Sequence, residues 1–132
     1  MKIRELKFTD YSHVIQIWKE SFSNKFEQEI NTKYLSDPNS ITLVSVDNNT
    51  ITGVASLHII NKLTRTLGLI EDVAVNENYR GKGIGKKLVQ KLIELASDKK
   101  CDKIVLNSSN KNSAFYKKIG FEKNQIQMII RN

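Results

Sequence analysis

The stretch Leu67–Leu88, LGLIEDVAVNENYRGKGIGKKL, decides the fold of this chain. It opens with an apolar, β-branched run, Ile70–Val75, which predicts a buried strand. A polar turn, Asn76–Tyr79, separates this strand from the glycine-rich segment Arg80–Gly85, and an amphipathic helix follows. A glycine turn that leads into a helix is an arrangement that binds anions. The sequence therefore predicts an anion site at the start of this helix.

Three glycines in five positions characterise the turn, namely Gly81, Gly83 and Gly85. Without Cβ atoms, the backbone can point consecutive N–H groups at one bound anion. These N–H groups have no helical partner because they belong to a first helical turn, where the helix dipole also favours negative charge. Fixed positive charge surrounds the turn at Arg80, Lys82, Lys86 and Lys87. The chemistry that this arrangement suits is a pyrophosphate.

The glycine spacing argues against two common nucleotide-binding motifs. A P-loop needs Ser or Thr after its last glycine and lysine, and neither follows Gly85 in that place. A dinucleotide fingerprint needs Gly-x-Gly-x-x-Gly directly after the strand and an acidic residue ending the next strand, which here ends at Leu106-Asn107. The pattern Arg-x-x-Gly-x-Gly after a Val-x-Val strand instead resembles the acetyl-CoA signature of the GNAT superfamily of N-acetyltransferases.

A second motif extends this resemblance. The segment Asn112–Phe121 is similar to the Asn-x-x-x-Phe-Tyr-x-x-x-Gly-Phe segment near the end of many GNAT domains. Because two well-separated motifs occur in the correct order, the chain is identified as a member of the superfamily. The resemblance implies an N-acetyltransferase that moves the acetyl group of acetyl-CoA directly to a primary amine of a small acceptor, without a metal.

Length and pattern predict one domain over residues 1–132. The predicted elements are a strand over Lys2–Phe8, helices to about Ser23 and over Phe26–Leu35, a hairpin of Ile41–Val46 with Ile51–Ile60, the strand Ile70–Val75, a helix from Ile84 to near Asp98, the strand Ile104–Leu106, a helix from the cap Asn110 through Lys118, and one or two strands over Phe121–Ile130. This order, βααββ-βα-βα-β, resembles the GNAT fold, an α/β (α+β) domain with a mixed, mostly antiparallel sheet flanked by helices.

The net charge of +7 has two explanations, a nucleic-acid surface or an anionic cofactor. The lysines concentrate near the glycine turn and the following helix, and no basic and aromatic residues interleave as in a nucleic-acid platform. This favours the cofactor and no nucleic-acid partner. We also expect no membrane partner, because no apolar run is long enough to span a bilayer. Cys101, the single cysteine, cannot form an internal disulfide, which indicates a cytoplasmic setting and a packing role.

The resemblance also implies roles for individual residues. Glu71 matches the position of the general base in several GNAT enzymes, the alternative being a structural or substrate-orienting carboxylate. Tyr116 matches the tyrosine that protonates the coenzyme thiolate, the alternative being a packed tyrosine. The backbone amide of Val73 or a neighbour is the expected donor to the reacting carbonyl oxygen. The residues expected to contact the coenzyme are Val73, Ala74, Val75, Arg80, Gly81, Lys82, Gly83, Ile84, Gly85, Lys86, Asn107, Asn112 and Tyr116.

A further similarity, to the GNAT branch that acetylates glucosamine 6-phosphate, narrows the range of candidate acceptors. The matching segments are Ile70–Val75, Cys101–Leu106 and Met128–Arg131. In that branch, residues at the positions of Lys103 and Arg131 help to hold the sugar phosphate, often across a homodimer. The expected acceptor-binding residues are thus Glu71, Asp72, Lys103 and Arg131. The chain departs from this branch at Asn107, where the branch has Asp, and in a shorter connection before Glu71.

Two other functions stay open at this point. A protein or peptide N-acetyltransferase would need an open groove, and a non-catalytic acyl-CoA-binding module would need neither Glu71 nor Tyr116. The histidines carry no predicted chemistry, since His13 is expected at the surface and His58 is expected to pack within a strand or lie at its edge. Trp18 is expected to anchor the core.

Overall fold

A computed structural model of the chain describes residues 1–22 and 31–132. Its regular elements are β1 (Lys2–Glu5), α1 (Tyr11–Ser21), α2 (Thr32–Leu35), β2 (Ser40–Asp47), β3 (Thr50–Asn61), β4 (Thr66–Val75), α3 (Ile84–Asp98), β5 (Lys103–Leu106) and α4 (Ser113–Ile119), with 3-10 turns at Phe8–Asp10 and Glu77–Tyr79. The five strands form one sheet in the order β1-β2-β3-β4-β5. Successive strands are antiparallel except β5, which runs parallel to β4. Within the described residues, no helix is long and apolar enough to cross a membrane.

The hairpin of β2 and β3 is connected by Asn48 and Asn49, whose φ angles are 47° and 66°. Asparagine accepts left-handed backbone angles more readily than most residues, and two such residues match the right-handed twist of the flanking strands. The predicted hairpin is therefore confirmed, with its turn at the predicted position.

Helices cover the two faces of the sheet with separate apolar clusters. On one face, Leu88 and Leu92 of α3 are fully buried against Leu57 of β3. On the other face, Val14 and Ile17 of α1 pack against the middle of the sheet. At about 25 cal/mol per Å² of buried apolar surface, such clusters supply most of the stabilising free energy of a domain of this size.

Gly53 marks the place where β3 and α3 approach most closely. A Cβ atom at this position would lie 2.9 Å from Ile84 Cγ2 and 3.0 Å from Leu88 Cδ1. The absence of a side chain at Gly53 therefore lets the first turn of α3 pack directly on the sheet. The close backbone approach that the sequence predicts at this glycine is confirmed.

A bulge interrupts β4 at the carboxylates that the sequence singles out. Val54 pairs with Ala74 and Ser56 pairs with Glu71. β4 therefore holds one more residue than β3 between these pairs, which defines a β-bulge. Asp72 lies in the bulge with a φ of 57°, in the left-handed region that Asp tolerates better than most residues.

Helix α1 holds this bulge in place. The indole Nε1 of Trp18 donates a hydrogen bond of 3.0 Å to the carbonyl oxygen of Asp72. Trp18 packs against the α1 face of the sheet, as predicted, and also fixes the backbone of the irregular part of β4.

Strand β5 pairs with only the first half of β4. The parallel register joins Lys103–Leu106 to Leu67–Ile70 and goes no further. From Glu71 to Val75, β4 therefore has no described strand beside it on this edge. The two strands part here, and their separation leaves main-chain groups of β4 available to a ligand.

Two sequence-based expectations about elements change, and a third is tested only in part. The described residues of Phe121–Ile130 contain no strand, so that prediction is wrong for the single chain, whose alternating residues Ile126 and Met128 are exposed because no strand pairs with them. Helix α4 begins at Ser113 with Asn112, not Asn110, at the capping position. Of the predicted helix Phe26–Leu35, only Thr32–Leu35 is described as helical, and residues 26–30 lie outside the described residues.

Candidate active site

The glycine turn forms an open cradle at the start of α3. Gly81 and Gly83 have φ angles of 80° and 78°, and a Cβ atom on either would meet no described atom within 4 Å. Gly83 occupies the capping position of α3 without a side-chain cap. Lys87 makes the first intrahelical bond, its N–H donating to the carbonyl of Gly83 at 3.1 Å. The preceding N–H groups of the first turn are thus available to an anion.

A cavity of about 680 Å³ extends from this cradle along β4. It lies between the second half of β4 and helices α3 and α4. Its lining residues are Ser21, Phe22, Val73, Ala74, Val75, Tyr79, Arg80, Gly81, Gly83, Ile84, Gly85, Lys86, Lys111, Asn112, Phe115 and Tyr116. Two cationic side chains, Arg80 and Lys86, belong to the glycine turn and the start of α3, and the described lining from β4 and the α4 region is mainly apolar and amide, with Lys111 as its one cation. This gradient suits a ligand with a phosphate end and a neutral arm.

A second cavity of about 420 Å³ begins where the first ends. It is lined by Glu71 and Asp72 on one side and by Asn107 at the end of β5 on the other. The two cavities share Ser21, Phe22, Val73, Asn112 and Tyr116. Because they meet at Val73 and Tyr116, a group carried along the first cavity can reach a second ligand beside Glu71.

Two carboxylates make the second cavity acidic. Burial, and to a smaller extent the neighbouring charge of Asp72, raises the pKa of Glu71 above its ordinary value. Burial also raises the pKa of Asp72, and the charge of His58 opposes both increases. A carboxylate whose proton affinity is raised in this way is a better proton acceptor than an exposed one.

Tyr116 stands at the junction of the cavities. Its ring contacts Phe115 and Phe121 edge to face, with centroid distances of 4.9 Å and 6.0 Å. Burial raises the pKa of its phenol, so the hydroxyl keeps its proton at neutral pH. Aromatic contacts thus fix a protonated hydroxyl group where the cavities join.

The comparisons with known proteins identify this arrangement. The sequence profile described as "Acetyltransferase (GNAT) family" matches residues 3–121. The chain belongs to the GNAT acetyltransferase family. The predicted family, fold and use of acetyl-CoA are thereby confirmed.

Two relatives of this GNAT chain are glucosamine 6-phosphate N-acetyltransferases. The enzyme of Dictyostelium discoideum is 36% identical over 98% of this chain and 77% of its own length. The enzyme of Trypanosoma brucei brucei is 47% identical over 59% of this chain, and the match spans 55% of the relative. Among solved structures, glucosamine-6-phosphate N-acetyltransferase from Arabidopsis thaliana is 27% identical and superposes with a TM-score of 0.87 over 98% of this chain and 97% of that one.

The structure brings most of the predicted site residues together. Every predicted coenzyme residue lines one of the two cavities except Lys82, whose Nζ lies 5.2 Å from the centroid of the Tyr79 ring. Glu71 and Asp72 also lie where acceptor-binding residues are expected.

Two predicted residues lie elsewhere. Lys103 begins β5 and Leu106 ends it, so Lys103 is about 10 Å from the cavity end of the strand. Arg131 lies in the exposed C-terminal segment. Within one chain, neither residue belongs to the acidic cavity.

Other residues of the site were given no catalytic or binding role from the sequence. Ser21 and Phe22 end α1 at both cavities, and the Ser21 hydroxyl is buried without a partner among the described residues. His58 was expected to pack within a strand or lie at its edge, and the register places it on the same face of the sheet as Glu71. A role for His58 could have been suspected from the polar residues Thr42 and Ser56, which lie on the same face of otherwise apolar strands.

Proposed function

We propose that this protein acetylates the amine of glucosamine 6-phosphate, or of a closely similar amino sugar phosphate, with Glu71 and Tyr116 as its acid–base pair. The observation that carries the proposal is the meeting of the two cavities at Val73 and Tyr116. Support for the acceptor comes from relatives named for this activity that align with nearly the whole chain. The alternatives, a peptide N-acetyltransferase and a non-catalytic module, have no comparable support.

Glu71 acts as the general base in this proposal. The ammonium group of an amino sugar must lose a proton before its nitrogen can attack the thioester carbonyl. The side chain of Glu71 faces the acidic cavity, and its raised pKa makes its carboxylate a stronger base than an exposed Glu. The negative charge of Asp72 beside it favours binding of the cationic form of the amine.

The peptide group at Val73 is the proposed donor to the oxyanion. As the amine attacks, the acetyl carbonyl oxygen gains negative charge and needs a fixed hydrogen-bond donor. Because β5 ends before this part of β4, no described strand pairs with it on that edge, while β3 pairs with it on the other edge. The same free edge, Val73–Val75, pairs with the amide groups of the pantetheine arm as an added strand would.

Tyr116 protonates the departing thiolate of coenzyme A. Its hydroxyl keeps its proton at neutral pH because burial raises its pKa. When the tetrahedral intermediate collapses, the C–S bond breaks and the sulfur takes the phenolic proton. The nitrogen, which is still cationic in that intermediate, gives up its second proton to solvent, and the resulting phenolate regains one from solvent before the next turnover.

Binding of the sugar phosphate requires cations, and the lining of the acidic cavity contains no Lys or Arg among the described residues. A homodimer meets this need if the C-terminal segment of one copy reaches the site of the other. Exposed apolar side chains of this segment, Ile126, Met128 and Ile130, are 86%, 88% and 92% accessible, which is unusual for a free surface. A cavity of about 490 Å³ lies between this segment and β5, where a strand of a second copy would fit.

A panel of amines with acetyl-CoA tests the acceptor, with thiol release as the readout. Glucosamine 6-phosphate is expected to give the highest kcat/KM, ahead of glucosamine, polyamines, aminoglycosides and peptides. Arg131→Ala should raise the KM for glucosamine 6-phosphate far more than that for glucosamine, and Lys123→Ala provides a matched charge control on the same segment. An equal rise for both sugars would contradict the phosphate role of Arg131, and a sedimentation analysis that found monomers would contradict the dimer.

A further inference from the structure

A row of polar side chains runs across the sheet beside Glu71. Strand register places Ser56 opposite Glu71, and His58 follows two residues later on the same face of β3. On the other side of β3, Ser40 of β2 stands opposite His58. Diagonal neighbours of this kind have Cα atoms about 7 to 8 Å apart, which is within reach of a long or aromatic side chain.

Hydrogen bonds define the orientation of the His58 ring. Bonds from the Asn39 amide and the Ser40 hydroxyl lower the pKa of Asp37, so its carboxylate is ionised and can only accept. Ser40 Oγ donates its one hydrogen to Asp37 Oδ2 at 2.9 Å. At 3.0 Å from His58 Nδ1, the same oxygen must therefore accept a hydrogen from the ring.

This bond fixes the tautomer of the neutral ring. If Nδ1 carries the hydrogen, Nε2 has a free lone pair and can accept a proton. The edge of the ring also contacts the Tyr34 ring, with centroids 6.1 Å apart. Tyr34 in turn hydrogen-bonds through its hydroxyl to Thr42, so the aromatic partner is itself held.

The row leads from the interior to the surface. Glu71 lies in the acidic cavity, His58 is half-buried, and Asp37 is fully exposed. Among the described residues, the charged and titratable groups around His58 are Glu71 and Asp72 from β4, Tyr34 from α2 and Asp37 from the connection before β2. His58 is thus the ionisable group of the row that lies between the acidic cavity and the surface.

We propose that His58 carries away the proton that Glu71 removes from the acceptor, while Ser40 and Asp37 hold the imidazole in the required orientation. This inference rests on the proposed role of Glu71 as the base. After the amine has been deprotonated, the O–H bond of the Glu71 carboxyl breaks and an N–H bond forms at His58 Nε2, directly or through one water. Glu71 is again a carboxylate, and the imidazolium releases its proton to solvent. His58 thus acts through Glu71 and does not touch the acetyl group.

The variant His58→Asn tests this transfer. Its side-chain amide nitrogen can replace Nδ1 as the donor to Ser40, whereas no group replaces Nε2. In dilute buffer, with glucosamine 6-phosphate as acceptor, we expect a fall in kcat of about tenfold with little change in either KM. A high concentration of imidazole should restore kcat in the variant and leave the native protein unaffected. His13→Asn, at the exposed second histidine, is the matched control and should retain native kcat.

Two outcomes would overturn the transfer. One is a native kcat for His58→Asn in dilute buffer, and the other is a reduced kcat that imidazole does not restore. A measurement that needs no turnover is the ¹⁵N spectrum of the histidine side chains, in which His58 should carry its hydrogen on Nδ1 when neutral. A hydrogen on Nε2 would contradict the proposed orientation.

The variant Glu71→Gln separates this inference from the function on which it rests. If Glu71→Gln is inactive with and without imidazole while His58→Asn is fully active, the base assignment stands and the transfer to His58 is wrong. If Glu71→Gln turns over at the native rate, the base assignment itself is wrong.

Discussion

The two cavities of this enzyme are built in different ways. The first is the one in which we propose that the coenzyme binds, and the second is the acidic cavity. The glycine turn, the adjacent half of β4 and the first turn of α3 belong to one continuous stretch of fewer than twenty residues. The acidic cavity takes its residues from β4, the end of β5 and the end of α1, and the polar row beside it adds β2 and β3. The part of the first cavity that the glycine turn forms is thus encoded locally, although the end of α1 and the α4 region complete its lining. The acidic cavity depends throughout on the packing of distant segments.

This difference has a chemical reason. The diphosphate of acetyl-CoA needs only main-chain N–H groups in one orientation, and backbone conformation is a local property. An acceptor is recognised by side chains that surround it, and these must come from several elements. The predictions below therefore treat the two cavities as separable.

The largest effect should come from Glu71→Gln. The amide is nearly isosteric with the carboxylate but cannot take the ammonium proton, so kcat should fall by about 10² to 10⁴. The Kd of acetyl-CoA, measured by calorimetry, should be unchanged because Glu71 lies in the other cavity. A comparable loss of coenzyme affinity would show that the two cavities are not separable.

Gly83→Ala should weaken the binding of acetyl-CoA without affecting the acidic cavity. A Cβ atom at a φ of 78° costs up to about 2 kcal/mol, or about 30-fold in acetyl-CoA affinity if the turn must keep this conformation to bind. Gly85→Ala is the matched control, because its Cβ would make ordinary contacts of 3.4 Å with Phe115 and 3.5 Å with Val75. Equal affinities for the two variants, measured by calorimetry, would contradict the proposed use of the left-handed turn.

Tyr116→Phe should lower kcat by removing the proton donor at the junction of the cavities. The phenylalanine ring keeps the contacts with Phe115 and Phe121 but has no proton for the thiolate. Because a thiolate is a good leaving group, we expect a loss of only about tenfold in kcat, which corresponds to about 1.4 kcal/mol. An unchanged kcat in the thiol-release assay would leave Tyr116 with a packing role.

The smallest expected effect is a shift in the pH profile of Asp72→Asn. Burial is the main cause of the raised pKa of Glu71, and the charge of Asp72 adds to it. Removing that charge lowers the pKa of Glu71, so the base becomes ionised at lower pH. The acid limb of kcat/KM should therefore move to lower pH, and a limb that stays in place would contradict the coupling. Asparagine suits this test because it also tolerates the φ of 57° at the bulge.

The sequence was most informative where the structure depends on nearby residues. The helix from Ile84, the hairpin at Asn48 and the close approach at Gly53 could be predicted because spacing, turn chemistry and backbone freedom act over a few residues. The prediction of one or two strands over Phe121–Ile130 was wrong, because a strand forms only where another strand offers it hydrogen bonds. The residue types of a segment indicate that it can form a strand, but they do not identify the strand with which it pairs.

The residues of the candidate site also fall into those that the sequence could predict and those that only the tertiary structure placed. Residue types and motifs in the sequence sufficed to indicate the family, the coenzyme and the positions of Glu71 and Tyr116, because each depends on a short segment with a fixed conformation. Only the tertiary structure placed His58 beside Glu71 and left Lys103 at the far end of β5. Strand register and the bulge at Asp72 decide those distances, and both arise from contacts between segments that are far apart in the chain.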